Sequence, residues 1–197
     1  MTPHPDAPGP HAQASDAQDP DALELLDAAR DLADRVWRSH AAPEVRAVVA
    51  AEIRALAERL APFEAVAPVQ TRLGGPLPGR GHPLLPPVLH RSGERGTTGT
   101  VTFTDAHVGA GEAVHGGQVT LLFDEMLGRV AATAAASRTA SLTVHFRSLT
   151  PVGTELTIEG WVERVDGRKV FVRGRLCDGE RVCAEAEALF VAVQGWG

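Results

Sequence analysis

The stretch His115–Glu125, HGGQVTLLFDE, decides how the rest of this chain is read. Gly116 and Gly117 suit the mouth of a helix, because a residue without Cβ lets another group approach the free backbone N–H donors there. Those donors favour an anion or a polarised carbonyl. Val119, Leu121, Leu122, Phe123, Met126 and Leu127 leave no broad polar face, so the pattern predicts a helix from about Gly116 to Ala135 buried inside a domain. Asp124 falls in its middle, where a carboxylate is costly without a partner or a task. Gly117 and Asp124 stand two turns apart, roughly 10 Å of rise, so one small carbonyl cannot touch both within a single chain. A site that uses both requires a second copy running antiparallel, and C2 pairing is the commonest symmetry that supplies one.

Working outward, strands surround this helix. Val101 and Phe103 alternate with threonines before it; after it Leu142, Val144 and Phe146 alternate with Thr143, His145 and Arg147. Leu156, Ile158 and Val162 lead to a turn at Asp166 and Gly167, and Val170 and Val172 to one at Asp178 and Gly179. Val182, Ala184, Ala186, Ala188 and Phe190 then share a face small enough for a helix to lie on. The expected architecture is α+β: one long central helix wrapped by an antiparallel sheet of about five strands, over residues 98–197.

Upstream, residues 1–19 hold little to bury and are expected to be a disordered tail. Residues 20–62 read as a helical extension of two helices, from Pro20 to near His40 with Leu25, Ala29, Leu32 and Val36 at helical spacing, then from Pro43 to Pro62 with Val49, Ile53, Leu56 and Leu60. They are expected to pack on the main domain or a dimer mate. Seven prolines from Pro62 to Gly96 exclude regular structure, and residues 63–97 read as a strap over the sheet or a lid for an acyl chain.

At 197 residues and 44% hydrophobic, the chain suffices for one sizeable core. A net charge of −6 argues against broad nucleic-acid affinity, and Asp21–Pro62 carries six arginines against eight acids with no basic recognition helix. Cys177 and Cys183 form no disulfide framework, and the histidines outside the motif show no metal-ligand spacing, so no metal is expected. No apolar run approaches the ~18 residues of a membrane span and no signal peptide is recognisable; a cytoplasmic protein is the expectation.

Four pieces, VHGGQVTLLFDEMLG, TASLTVHFRSLTPVG, VDGRKVFV and AEAEALFVAV, resemble in order and spacing the PaaI-type acyl-CoA thioesterases of the hotdog fold, above all the long-chain acyl-CoA thioesterase branch. The similarity spans about Gly99 to Val193. It implies a hydrolase of medium- or long-chain acyl-CoA in fatty acid metabolism, without a cofactor beyond the CoA of the substrate, working as a homodimer or dimer of dimers with its site at the subunit interface. By the same resemblance Asp124 is the general base or nucleophile, Thr139 holds the attacking water, and the backbone N–H groups after His115, at Gly116 and Gly117, form the oxyanion site. Some PaaI-type enzymes carry asparagine where this chain has Gly109, which sets aside a mechanism that needs that amide.

The residues themselves leave choices open. His115 is a base or a shaper of the helix entry; Glu125, about 100° further round the helix, is a structural acid or a functional one. Coenzyme A phosphates call for local cations, for which Arg147, Arg168 and Lys169 are candidates beside a solvent-facing reading of each. A noncatalytic acyl-CoA-binding or sensing protein is the alternative; a DNA-binding regulator lacks its basic helix, and a hotdog dehydratase its histidine-and-acid signature.

Overall fold

The computed structural model describes residues 20–63, 85–86, 88–93 and 96–193. The expected tail at 1–19 and most of the strap, 64–84, lie outside the described residues. Helix α1 spans Pro20–Arg38 and α2 Pro43–Leu60, each ending about two residues before the sequence expectation. Pro62 accounts for the second end: it has no N–H to extend the ladder, and the chain passes into a 3-10 turn at Ala61–Phe63. The arm meets the domain where α1 packs on the one-turn helix Asp105–His107. Helix α2 buries none of its residues.

The central helix α3 covers Gly116–Ala132. Beyond it the Thr133 hydroxyl and N–H both bond to the Val130 carbonyl, so the last expected turn tightens and closes at Ala135. Val119, Leu122, Phe123, Met126, Leu127, Val130 and Ala131 are buried, as the apolar spacing requires. The expectation of a helix buried all round needs correction. Gly117 is exposed, and Thr120, Leu121, Asp124 and Gly128 are half-buried, because a single sheet covers only one side of α3.

That sheet has six antiparallel strands in the order β1-β2-β4-β5-β6-β3, with β1 at Leu89–Gly93, β2 at Gly96–Thr102, β3 at Ser137–Phe146, β4 at Glu155–Asp166, β5 at Lys169–Asp178 and β6 at Arg181–Ala192. The strand beyond the expected five is β1, inside the stretch whose prolines argued against regular structure. The last of those prolines is Pro87, so every residue of β1 has an N–H, and it pairs with β2 from Leu89↔Thr100 to Gly93↔Gly96. Both Asp-Gly signals become hairpins, centred one residue later than read: Gly167 and Gly179, each at φ +56°, are the first residues of two-residue turns. On β6 a register shift opposite Leu176 and Cys177 buries Cys183 and leaves Val182 partly exposed, reversing the expected parity at that end.

Sheet and helix meet over a trough. Gly160 of β4 pairs with Gly174 of β5, and Gly174 with Ala186 of β6, so three small residues lie in one row across the sheet. A Cβ on Gly160 would come within 3.0 Å of Val130 Cγ2 and 3.1 Å of Leu127 Cδ2; one on Gly174 would stand 2.7 Å from the Glu159 carbonyl oxygen. Helix α3 is thus seated at backbone depth, and its position relative to β3 is fixed by packing.

Candidate active site

Two groups of the expected residues are brought together, one at the mouth of α3 and one midway along its open side. At the mouth, His115 is the N-cap, and its own ring does the capping: Nδ1 accepts the Gly117 N–H at 3.0 Å. With Nδ1 accepting, a neutral ring carries its proton on Nε2. The glycines have separate reasons. A Cβ on Gly117 would press on the His115 ring at 3.0 Å, and one on Gly116 would meet the tip of Phe146 at 3.2 Å, so the ring of a residue 55% exposed lies across the helix mouth. The Gly117 N–H, expected at an oxyanion site, is therefore engaged by His115, whereas the Gly116 N–H makes no hydrogen bond among the described residues. Gln118, which the sequence reading passed over, has its side-chain oxygen buried without a hydrogen-bond partner in the same turn. A lone amide within the apolar run was the available signal.

Two turns on, the Thr139 hydroxyl donates to Asp124 Oδ1 at 2.9 Å. Strict alternation from Leu142 and Val144 would have put Thr139 on the far face of the sheet. A register shift between Thr139 and Ser141 makes Ala140 an extra residue, so that Thr139 opposes Phe190 and Leu142 opposes Ala188, all on the helix side. The bulge is what turns Thr139 toward Asp124.

Gly109 has a packing reason as well: a Cβ there would stand 2.8 Å from His115 Cα. An asparagine at this position would push the mouth residue out of place unless the backbone shifted.

The basic candidates divide. Arg147 lies past the end of β3 and pairs with Glu185 at 2.8 Å, on the face opposite Ala184 and Ala186, so within one chain it is not brought to Asp124. Arg168 and Lys169 are at the other end of the sheet, beside Thr139: Lys169 and Arg138 both pair with Val191, one row from Thr139 and Phe190. The Arg168 guanidinium donates to the Ala192 carbonyl at 2.9 and 3.1 Å, and Lys169 is exposed. Arg138 joins this basic end unannounced by any sequence pattern.

Glu125 faces the opposite flank of α3 from Asp124, around a small cavity it shares with Val88, His90, Leu122, Met126 and Arg129. Burial lowers the Arg129 pKa while the Glu125 charge opposes the shift. Burial first, and then the Arg129 charge, also hold the His90 imidazole below its ordinary 6.5 against a backbone hydrogen bond at Val88. The unfolded chain therefore takes up this proton more readily than the folded one, and stability falls as pH drops below 6.5. Melting temperatures followed from about pH 7.5 to about pH 5 should fall more steeply for wild type than for His90→Gln. Parallel curves would show that His90 does not contribute to the dependence. Among the described residues no group of three or more His, Cys, Asp or Glu could hold a metal ion, and no helix is long and apolar enough to cross a membrane.

Comparison with known proteins agrees with this fold. The thioesterase superfamily model matches residues 111–185, which include α3 and the Asp124–Thr139 pair. A solved thioesterase superfamily protein is 28% identical and superposes with a TM-score of 0.72 over 93% of this chain and 97% of that one, so its length takes in the helical arm as well. A hypothetical thioesterase protein from Streptococcus pneumoniae, solved with coenzyme A, is 14% identical with a TM-score of 0.50 over 54% of this chain and 88% of that one. A Streptococcus mutans protein solved bound to acetyl CoA is 18% identical, TM-score 0.51, over the same shares. These two show the fold of the sheet and helix alone. No curated protein sequence matches the chain. With its six-stranded antiparallel sheet wrapped on α3, the domain built around this helix has the hotdog fold, and its segment 111–185 is similar to the thioesterase superfamily.

Proposed function

We propose that the chain is an acyl-CoA thioesterase that hydrolyses a medium- or long-chain acyl-CoA to free acid and CoA. The observation that carries this reading is the Thr139–Asp124 hydrogen bond of 2.9 Å on the open side of α3. Donation to Oδ1 leaves Oδ2 and the Thr139 lone pairs free to accept both protons of a water, whose own lone pairs then face outward. Asp124 takes one proton as the water attacks the thioester carbon, and that proton leaves with the CoA sulfur; attack by the carboxylate itself is the second route to the same products. Charge developing on the carbonyl oxygen is met by the Gly116 N–H and the His115 Nε2–H, with the Gly117 N–H joining if the His115 ring turns away.

Asp124 and the mouth are too far apart for one thioester, and the free edge of the sheet supports the remedy. Strand β3 ends where Phe146 covers Gly116 and begins beside Asp124. Two β3 edges paired antiparallel about a two-fold between Leu142 and Thr143 set Thr139 of one chain across from the partner's Phe146. The carboxylate of each chain then meets the helix mouth of the other. The basic end at Arg138, Arg168 and Lys169 supplies cations for the CoA phosphates at neutral pH.

The test is release of free thiol across an acyl-CoA panel from two to sixteen or so carbons, with ligand affinity measured alongside. Turnover is expected to rise toward the longer chains. Tight binding of acyl-CoA without turnover would replace this reading with that of an acyl-CoA-binding protein.

A further inference from the structure

Polar contacts join the helical arm to the domain at the 104–107 turn, and that place leads to the helix mouth. Asp34 on α1 is 18% exposed and its Oδ1 accepts the Ala106 N–H at 3.0 Å, a bond spanning 72 residues of sequence. Arg38, one turn on, pairs with Asp105 at 3.0 Å and lies 3.6 Å from Asp34. Burial pushes the Asp34 carboxyl up, but hydrogen bonds from Thr104 and Ala106 and the Arg38 charge outweigh it and leave it below 3.8, so it is ionised at neutral pH. Thr104 in turn holds His107: its hydroxyl lies 2.9 Å from His107 Nδ1, and the His107 ring packs edge-on against the buried Phe103. The His107 carbonyl accepts the His115 N–H at 2.8 Å.

From there the loop is closed tightly on itself. Gly109 donates to the Ala113 carbonyl at 2.8 Å, Val108 bridges Val114, and Gly109 leaves no room for a Cβ against His115. A displacement of the 104–107 turn is therefore transmitted to His115, whose ring holds the Gly117 N–H.

We propose that Asp34 is a positioning residue: through Ala106, Thr104 and His107 it fixes His115, and with it the donors at the mouth of α3, so the arm sets the geometry of the site. For turnover this rests on the thioesterase reading; for the mouth itself it does not. Asp34→Ala removes the acceptor, and Asp34→Asn keeps a neutral one for the Ala106 N–H. Arg35→Ala breaks the solvent-exposed pair with Asp31 on the same helix and removes a charge near Asp34, but leaves the Asp34 bond to the Ala106 N–H in place. Amide hydrogen exchange reads the mouth directly. Exchange at His115 and Gly117 is expected to quicken roughly ten-fold in Asp34→Ala and by less in Asp34→Asn, to stay unchanged in Arg35→Ala, and to leave α3 beyond Phe123 protected. In an active wild type, kcat should fall about ten-fold in Asp34→Ala with KM within about two-fold, since misplaced donors act on the transition state.

Unchanged exchange at the mouth in Asp34→Ala overturns the proposal, and so does faster exchange in an enzyme whose kcat is unaltered. If wild type hydrolyses no thioester, the exchange experiment still decides whether Asp34 holds the mouth, and only the thioesterase reading is lost.

Discussion

Replacing Asp124 with asparagine is expected to lower thioester turnover by about a hundred- to ten-thousand-fold, the range that a positioned general base contributes. The substitution is nearly isosteric, and its carbonyl oxygen can still accept the Thr139 hydroxyl that now sits 2.9 Å from Oδ1. The bulged strand and the helix should thus keep their places, and what is lost is the ability to take a proton or attack carbon. The loss should appear in kcat, with KM changed by no more than a few-fold, because on the proposed reading the thioester would be held by the mouth and by cations elsewhere. Thiol release by the purified variant, with a circular-dichroism melt to show that it is folded, makes the comparison. A variant within about ten-fold of wild type would take Asp124 out of the chemistry.

The second large effect concerns stability. Leu127 is fully buried and its Cδ2 lies over both Gly160 and Gly174, above a floor made of backbone. Truncating Leu127 to alanine leaves a void that this floor cannot rise to fill, so the cost should lie toward the upper part of the about 2–5 kcal/mol span for such changes. For a chain of this size that is a melting temperature lower by about 5–15 °C. Denaturant titration checks it, and a cost below about 1 kcal/mol would mean that the neighbouring side chains had closed the gap.

The two predictions differ in how far sequence reading reached them. The place of α3, its buried stripe and the hairpin turns were legible because each rests on local rules: spacing at the helical period, glycine where φ is positive, alternation along a strand. The pairing of Asp124 with Thr139 came from resemblance alone, since alternation would have turned Thr139 to the other face and nothing in Thr-Ala-Ser announces a bulge. Strand β1 was hidden by the prolines before it, whose effect stops at the first residue that has an N–H. The link from Asp34 to Ala106 was out of reach for another reason: two short polar segments 72 residues apart carry no pattern that one could find in the other. Cation placement was the least legible, because Arg147, Arg168 and Lys169 look alike in sequence and are separated only by strand register.

The rim of β3, uncovered among the described residues, has a consequence for the life of the folded chain. Its outward backbone groups, with Phe146 55% and Leu149 70% exposed beside them, offer a template on which any extended polypeptide can add, the first step of open-ended aggregation. Two copies that cap each other there leave no such template. The union that would complete the catalytic cleft would then also keep the protein in solution, and loss of one function would carry loss of the other.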